Sequence, residues 1–132
     1  VTIMWALETC VSCRRMLSVA YDVLKDKGHI VVATGSRILV PFKKPLFLYF
    51  NNTPADTNAF RFSNHTLRKI LGIAGFEVTH VNRYLDSDVL CMIARKVSPY
   101  RKINYRGDDY KEVYNFFKRW HRETLFYKDN LI

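Results

Sequence analysis

The chain has 132 residues, of which 48% are hydrophobic and 25% are charged, with only five Gly and four Pro. These proportions exclude a disordered, collagen-like or low-complexity chain, and the length fits one domain with a single modest core. No run approaches the roughly 18 consecutive apolar residues of a membrane span, so no span is expected. The odd number of cysteines weakly favours a reducing compartment, and we therefore expect a cytoplasmic location.

The charge is lopsided, with 21 Lys and Arg against 12 Asp and Glu. Such an excess favours an anionic partner: nucleic acid, a phosphorylated small molecule or an acidic membrane surface. The basic residues are scattered in pairs, such as Arg14–Arg15 and Lys43–Lys44, and no dense basic tail occurs. An ordinary solvated surface is the alternative interpretation.

The first element is the continuous apolar run Val1–Leu7, which predicts a strand covered on both faces, as in a parallel sheet. The chain enters this strand at its first residue and without a methionine. We therefore interpret it as a fragment whose true start lies upstream.

The spacing of apolar residues changes from Ser12 to Lys27, where they recur every three and four positions and predict an amphipathic helix. Lys25 and Lys27 are expected in its last turn, and Gly28 is expected to end it in a left-handed conformation. The segment His29–Thr34 then predicts a strand. Strand, helix and strand with short joints form a βαβ unit, whose two strands are expected to be parallel.

Residues 37–62 are irregular and contain three prolines, with a short helix possible around Leu46–Phe50. A loop of this length is usually functional. Ser63 is expected to cap a second helix that Gly75 closes. Strands follow at Phe76–Tyr84 and Asp88–Arg95, and the short joint between them permits only an antiparallel pair.

The tail, residues 98–132, predicts a basic linker followed by a long helix near residues 109–127. One stripe of this helix is apolar or aromatic, and we expect it to be packed. Its members are Tyr110, Val113, Tyr114, Phe117, Trp120, Thr124 and Tyr127. The run Arg119–Arg122 combines basic and aromatic side chains that could stack on bases. Because Trp120 lies on the packed stripe, we do not expect this run to bind nucleic acid.

Four stretches in register resemble the C-terminal half of a class I S-adenosylmethionine-dependent methyltransferase, over residues 1–97. They are Ala6–Cys10 (ALETC), Leu24–Thr34 (LKDKGHIVVAT), Phe62–Leu67 (FSNHTL) and Leu71–Val78 (LGIAGFEV). The resemblance implies an α/β fold with half of a Rossmann-like sheet, in the order β-α-β-loop-α-β-β. In that fold the last strand is inserted antiparallel between its predecessor and the parallel strands. The tail has no counterpart in the family.

The resemblance also implies a cofactor site. It places Ala6, Leu7 and Glu8 against S-adenosylmethionine, at the carboxyl end of the first strand, where ligands meet open α/β sheets. The alternative is that Glu8 only caps a helix and Leu7 is simply buried. The family's glycine-rich loop and ribose-binding acid are missing from this chain, so we expect it to bind the cofactor weakly or not at all.

The same resemblance makes the loop after the second strand substrate-binding. Its candidate residues are Arg37, Asn58 and Arg61, and a guanidinium such as that of Arg37 can pair with a phosphate or carboxylate. Methyl transfer to carbon or oxygen needs a base near the acceptor. Asp56 or a residue of the missing half could serve. Ordinary surface positions are the alternative for all four.

Cys10 and Cys13 have CxxC spacing, but a structural zinc site needs four ligands and neither Cys91 nor the scattered histidines complete one. A lowered thiol pKa at a helix start is a second possibility. Ordinary packing is the preferred interpretation, so no metal site is expected.

Three functions are weighed. The first is a fragment of a methyltransferase that acts on a small or sugar-like acceptor. The second is a non-catalytic module that dimerises or docks on a partner, and the third is a basic RNA-associated domain. Because the first strand would be an exposed apolar edge, we expect a homodimer or a partner that supplies the missing N-terminal half, unless the tail helix covers that edge.

Overall fold

The computed structural model describes residues 1–35, 38–39, 45–46, 58–83, 89–97, 103 and 105–126. The elements of this part of the chain are β1 (Thr2–Met4), α1 (Cys13–Val23), β2 (His29–Thr34), α2 (Asn64–Ile73), β3 (Phe76–Val81), β4 (Leu90–Lys96) and α3 (Tyr110–Thr124). The predicted order of strands and helices is confirmed.

The strands form one mixed sheet in the order β1-β2-β4-β3. β1 and β2 are parallel, with Ile3 opposite Val32, whereas β4 is antiparallel to both of its neighbours. The α/β class, the parallel pair and the antiparallel hairpin are therefore confirmed. The last strand lies between its predecessor and the parallel pair, as expected.

The core joins alternate residues of the sheet to the apolar faces of α1 and α2. Its sheet residues include Ile30, Val32 and Met92, and its helix residues include Leu17 and Leu67. All five are nearly or fully inaccessible to solvent. The period of two along the strands and of three to four along the helices thus places the same set of side chains inside.

The helix starts follow ordinary capping chemistry. Ser12 precedes α1 and its hydroxyl accepts a hydrogen bond from the Arg15 backbone N–H, while Ser63 does the same for the Thr66 N–H of α2. After α2, Gly75 has a φ of +88°, as expected of a left-handed helix terminator. Both predicted ends of the second helix are confirmed.

The prediction of a strand over Val1–Leu7, covered on both faces, is wrong. β1 ends at Met4 because Trp5 has a φ of +50°, which breaks the extended backbone. Within β1 only Ile3 is buried, and Thr2 and Met4 are exposed. The apolar run therefore contributes a short edge strand and then a turn.

The predicted end of the first helix is also wrong. α1 ends at Val23, so Lys25 and Lys27 lie beyond it, and the positive φ belongs to Lys27 (+60°) rather than to Gly28. Glycine is nevertheless required at position 28, because a Cβ there would lie 2.8 Å from the carbonyl oxygen of Lys25. In place of the expected lysines, Lys96 of β4 caps the helix, donating to the Leu24 carbonyl at 2.7 Å.

Two strand boundaries differ from the prediction. β3 ends at Val81 and β4 runs from Leu90 to Lys96. Tyr84 and Asp88 lie outside the described residues, as does most of the short helix expected at Leu46–Phe50.

The tail docks on the face and edge formed by α2 and β3. The Tyr105 hydroxyl accepts a hydrogen bond from the Val78 N–H of edge strand β3, and the tyrosine ring lies against Gly72. Asp108 accepts hydrogen bonds from the hydroxyls of Ser63 and Thr66 at the start of α2. This is the opposite edge of the sheet from β1.

The expected packed stripe of α3 is only partly correct. Trp120 and Thr124 are buried, and the Thr124 hydroxyl accepts a hydrogen bond from the Leu46 N–H. Tyr110 and Tyr114, however, are 75% and 64% exposed. The first two turns of the helix therefore present their tyrosines to solvent, and Tyr127 lies outside the described residues.

Among the described strands, β1 pairs only with β2, so its other edge has no strand partner in this part of the chain. Met4 is 45% exposed and Trp5 is 55% exposed, in the presence of α3. The tail helix therefore does not bury these side chains.

Candidate functional site

The candidate site lies at the carboxyl ends of the two parallel strands. Beyond β1 the chain makes a tight turn in which the Thr9 N–H donates to the Ala6 carbonyl at 3.3 Å. Beyond β2 comes Gly35. Because the carboxyl ends of parallel strands form the ligand crevice of open α/β sheets, this corner is where a ligand is expected.

Glu8 joins the two strand ends. Its side chain is only 3% exposed, and its Oε1 atom accepts a hydrogen bond of 2.9 Å from the Gly35 backbone N–H. Its second oxygen, Oε2, is also buried but has no hydrogen-bond partner among the described residues. A buried acceptor without a partner costs about 1–3 kcal/mol, so this atom is suited to accept a hydrogen bond from a ligand.

The turn that carries Glu8 is fixed by a buried neighbour and by a backbone hydrogen bond. Leu7 is fully buried in the core, while Ala6 is half-buried. The Glu8 carbonyl accepts a hydrogen bond from the Phe60 N–H at 3.0 Å. The carboxylate is therefore mounted on a fixed backbone rather than on a free loop.

Trp5 forms the outer wall of this corner. Its backbone N–H still donates to the Ala33 carbonyl at 2.8 Å, so the strand ladder continues to this residue. A Cβ placed on Gly35 would lie 3.3 Å from the Trp5 ring. Glycine thus lets the backbone after β2 approach both the indole and Glu8 closely.

Two of the predicted substrate residues lie in the segment that is hydrogen-bonded to the Glu8 turn. Asn58 and Arg61 flank Phe60, which is bonded to Glu8, and both are half-buried. Phe60 and Phe62 stack with ring centroids 6.2 Å apart, which orders this segment. Arg37 and Asp56 lie outside the described residues, so their predicted roles stay predictions.

The thiols of the CxxC pair contact the backbone of Leu7 and have the features of packing residues. The Cys10 and Cys13 Sγ atoms lie 3.1 and 3.4 Å from the Leu7 carbonyl oxygen and 3.7 Å from each other, so two S–H groups share three contacts, and all three cysteines of the chain are free. Burial raises the pKa of the Cys13 thiol to about 12, and the hydrogen bond with Cys10 adds to the shift. A nucleophilic or redox cysteine needs a lowered pKa, so the shift of Cys13 is in the wrong direction for such a role.

Among the residues that the structure describes, no three His, Cys, Asp or Glu side chains are grouped so that they could hold a metal ion. The same residues contain no helix that is long and apolar enough to cross a membrane.

Sequence reasoning missed two parts of the corner. The Gly35 N–H is a backbone group, and only the position of a small residue after a predicted strand indicates it. The sequence predicts Trp5 inside the first strand, because its apolar side chain fits the run and no local pattern indicates its left-handed backbone.

The arrangement can bind one side of a ligand. It offers a buried carboxylate oxygen, an indole face and a closely approaching backbone, but no glycine-rich loop occurs anywhere in the 132 residues. No protein-family model matches the chain, and no curated protein is significantly similar to it in sequence.

Proposed function

We propose that this chain is the C-terminal half of a class I S-adenosylmethionine-dependent methyltransferase domain, acting on a small or sugar-like acceptor. The observation that carries the proposal is the strand order β1-β2-β4-β3, with β4 antiparallel inside an otherwise parallel half. This is the uncommon arrangement that the four resembling stretches imply.

Fold alone does not assign an activity, so the site must support it independently. Glu8 lies in the stretch Ala6–Cys10, and it is the buried residue with an unpartnered oxygen at the strand ends. A ligand with hydroxyl or amino donors, such as the nucleoside part of S-adenosylmethionine, fits that acceptor. The bound cofactor would supply the methyl group, while Glu8 and the Trp5–Gly35 wall would hold and orient it.

The open edge of β1 is consistent with the proposal. In the family, further strands with the glycine-rich loop pair there, and Met4 and Trp5 would be covered by them. Without these strands the chain lacks most of the contacts to the cofactor. Its own affinity for S-adenosylmethionine is therefore expected to be weak, with a Kd of about 1 mM.

The proposal is tested by titrating the ¹⁵N-labelled chain with S-adenosylhomocysteine up to millimolar concentration. We expect shifts of the Leu7, Glu8 and Gly35 amide resonances, and loss of those shifts in Glu8→Gln. The matched control is Glu77→Gln, which changes a carboxylate paired with Arg95 on the far edge strand. Shifts that are absent, or that map away from this corner, would contradict the cofactor role.

A second candidate function, a dimerising module without catalysis, is favoured by the same edge. Thr2 and Met4 are exposed on a strand with an open side, and a second copy could pair there about a twofold axis. In that case the Glu8 corner binds no cofactor, and the titration above separates the two.

A further inference from the structure

One side of α3 carries a row of aromatic and basic side chains that neither the core nor the proposed site uses. Its members are Tyr110, Tyr114, Lys118 and Arg122, each four residues after the last. Residues at this spacing lie along one ridge of a helix. At a rise of 1.5 Å per residue, the ridge is about 18 Å long.

All four side chains of the ridge are exposed. The two tyrosines form its first half, and the Arg122 side chain is 75% exposed in the second half. Lys111 adds a third cation beside the first tyrosine, with its Nζ 5.9 Å from the centre of the Tyr110 ring.

The acidic side chains of the helix offset only part of this charge. The helix contains two, Glu112 and Glu123, and neither belongs to the ridge. Glu123 pairs with Arg119, a residue outside the ridge, at 2.8 Å, and the same oxygen lies 3.9 Å from Nη2 of the ridge residue Arg122. The ridge and the adjacent Lys111 therefore combine three cations with two exposed tyrosine rings, and of these cations only Arg122 is near a carboxylate of the helix.

We propose that this ridge of α3 binds single-stranded nucleic acid. Exposed aromatic rings beside cations are the combination that stacks on unpaired bases and neutralises the phosphates between them. The net charge of +9 on the whole chain favours the same polyanionic partner. Trp120, the aromatic residue that the sequence points to first, takes no part because it is 3% exposed.

A membrane surface fits the ridge less well. A helix that lies in a bilayer interface buries a broad apolar face in lipid. Here the side of α3 that carries Trp120 and Thr124 is buried within the protein. The ridge itself offers phenolic rings and charges rather than aliphatic surface.

The test is fluorescence anisotropy of a labelled oligouridine of about 12 nucleotides, titrated with the chain at several salt concentrations. We expect binding that weakens with salt, with a slope of log K against log salt of about −2 for three phosphate contacts. Lys118→Gln should reduce the magnitude of the slope by about 0.7. Lys25→Gln, which removes the same charge from an exposed position after α1, should not.

A second set of variants tests whether the tyrosine rings contribute to binding by stacking. Replacing Tyr110 and Tyr114 by Ala should weaken binding about tenfold or more with an unchanged salt slope, and replacing both by Phe should preserve the affinity. Because the Tyr110 and Tyr114 side chains are exposed, both double variants should keep the circular dichroism spectrum of the wild type.

Several outcomes would overturn the proposal. They are no binding at low salt, equal effects of Lys118→Gln and Lys25→Gln, or tighter binding to anionic phosphatidylserine vesicles than to the oligonucleotide, again lost in the double Ala variant. The measurement contains no cofactor, so its result is independent of the methyltransferase proposal.

Discussion

Gly75 is the residue on which the junction between α2 and β3 depends. Its φ is +88°, and a Cβ there would lie 2.6 Å from the Tyr21 ring. Tyr21 is fixed in turn, because its hydroxyl donates to the Val97 carbonyl at 2.8 Å and its ring meets Phe76 edge to face. Neither the backbone nor the ring can move away without losing a contact.

Gly75→Ala is therefore expected to lower the free energy of unfolding by about 2–4 kcal/mol, from the left-handed backbone and the displaced ring together. Urea denaturation measures the change. Gly107→Ala is the control, since its Cβ would meet only the flexible Lys69 side chain at 3.4 Å, and it should change stability by less than about 0.5 kcal/mol. Equal losses for the two variants would contradict this account.

The raised pKa of the Cys13 thiol predicts that the stability of the fold decreases at alkaline pH. Its pKa is raised from 9.0 to about 12 in the folded chain, chiefly by burial, so above pH 9 the unfolded chain loses a proton that the folded chain keeps. The stability associated with this group is fully present below pH 9 and is lost as the pH rises towards 12. Urea denaturation of the reduced protein at several pH values should show a steeper alkaline loss for the wild type than for Cys13→Ala. If stability fell equally with pH in the two proteins, the pKa of the Cys13 thiol would not be raised by folding.

At the scale of elements, Asp108 attaches the tail to α2. Its carboxylate accepts from the Ser63 and Thr66 hydroxyls and lies 3.2 Å from His65 Nδ1. Asp109, the next residue, instead caps α3 by accepting from the Lys111 N–H at 2.7 Å. Two adjacent acids thus serve two different helices.

Asp108→Ala should cost about 1–2 kcal/mol and accelerate hydrogen exchange at the amides of the first turn of α2. Asp109→Ala should accelerate exchange at Lys111 and its neighbours and leave the α2 amides protected. If both variants exposed the same amides, the two acids would not have separate roles.

Local chemistry explains which elements the sequence predicts well. β2 and α2 were predicted closely because a β-branched run, a Ser cap and a terminal glycine act within a few residues. β1 was predicted too long because the left-handed Trp5 follows from contacts at the strand ends, which no local pattern encodes. The exposure of Tyr110 and Tyr114 depends on how α3 docks, and periodicity alone cannot report that.

The same distinction holds for the site. Glu8 could be predicted because it directly follows the apolar run Val1–Leu7 and lies in the resembling stretch Ala6–Cys10. Its unpartnered oxygen and its bond to the Gly35 N–H depend on the crossing of the chain between β1 and β2, 27 residues later. Arg37 and Asp56 lie outside the described residues, so their roles stay predictions.

At the scale of the whole molecule, the edge of β1 is where we propose that a second copy or a partner strand pairs. The N–H groups of Val1 and Trp5 donate to β2, so by alternation those of Thr2 and Met4 face away from the sheet. A strand that pairs with this edge must use them.

Met4→Pro removes one of these outward donors and should abolish pairing, whereas Met4→Leu keeps both the donor and the apolar side chain. Sedimentation equilibrium should show a dimer for the wild type and Met4→Leu and a monomer for Met4→Pro. A monomeric wild type at all concentrations would show that the edge is not used between copies of this chain.

The most direct test of the central claim is a calorimetric titration with S-adenosylhomocysteine of this chain and of the same chain continued upstream in its own reading frame. The account predicts no binding tighter than millimolar for the chain as given, because Glu8 and the Trp5–Gly35 wall form only one side of the site. It predicts micromolar binding for the continued chain, a difference of about 4 kcal/mol. Micromolar binding by the chain alone, or none by the continued chain, would contradict the claim that it forms half of a methyltransferase site.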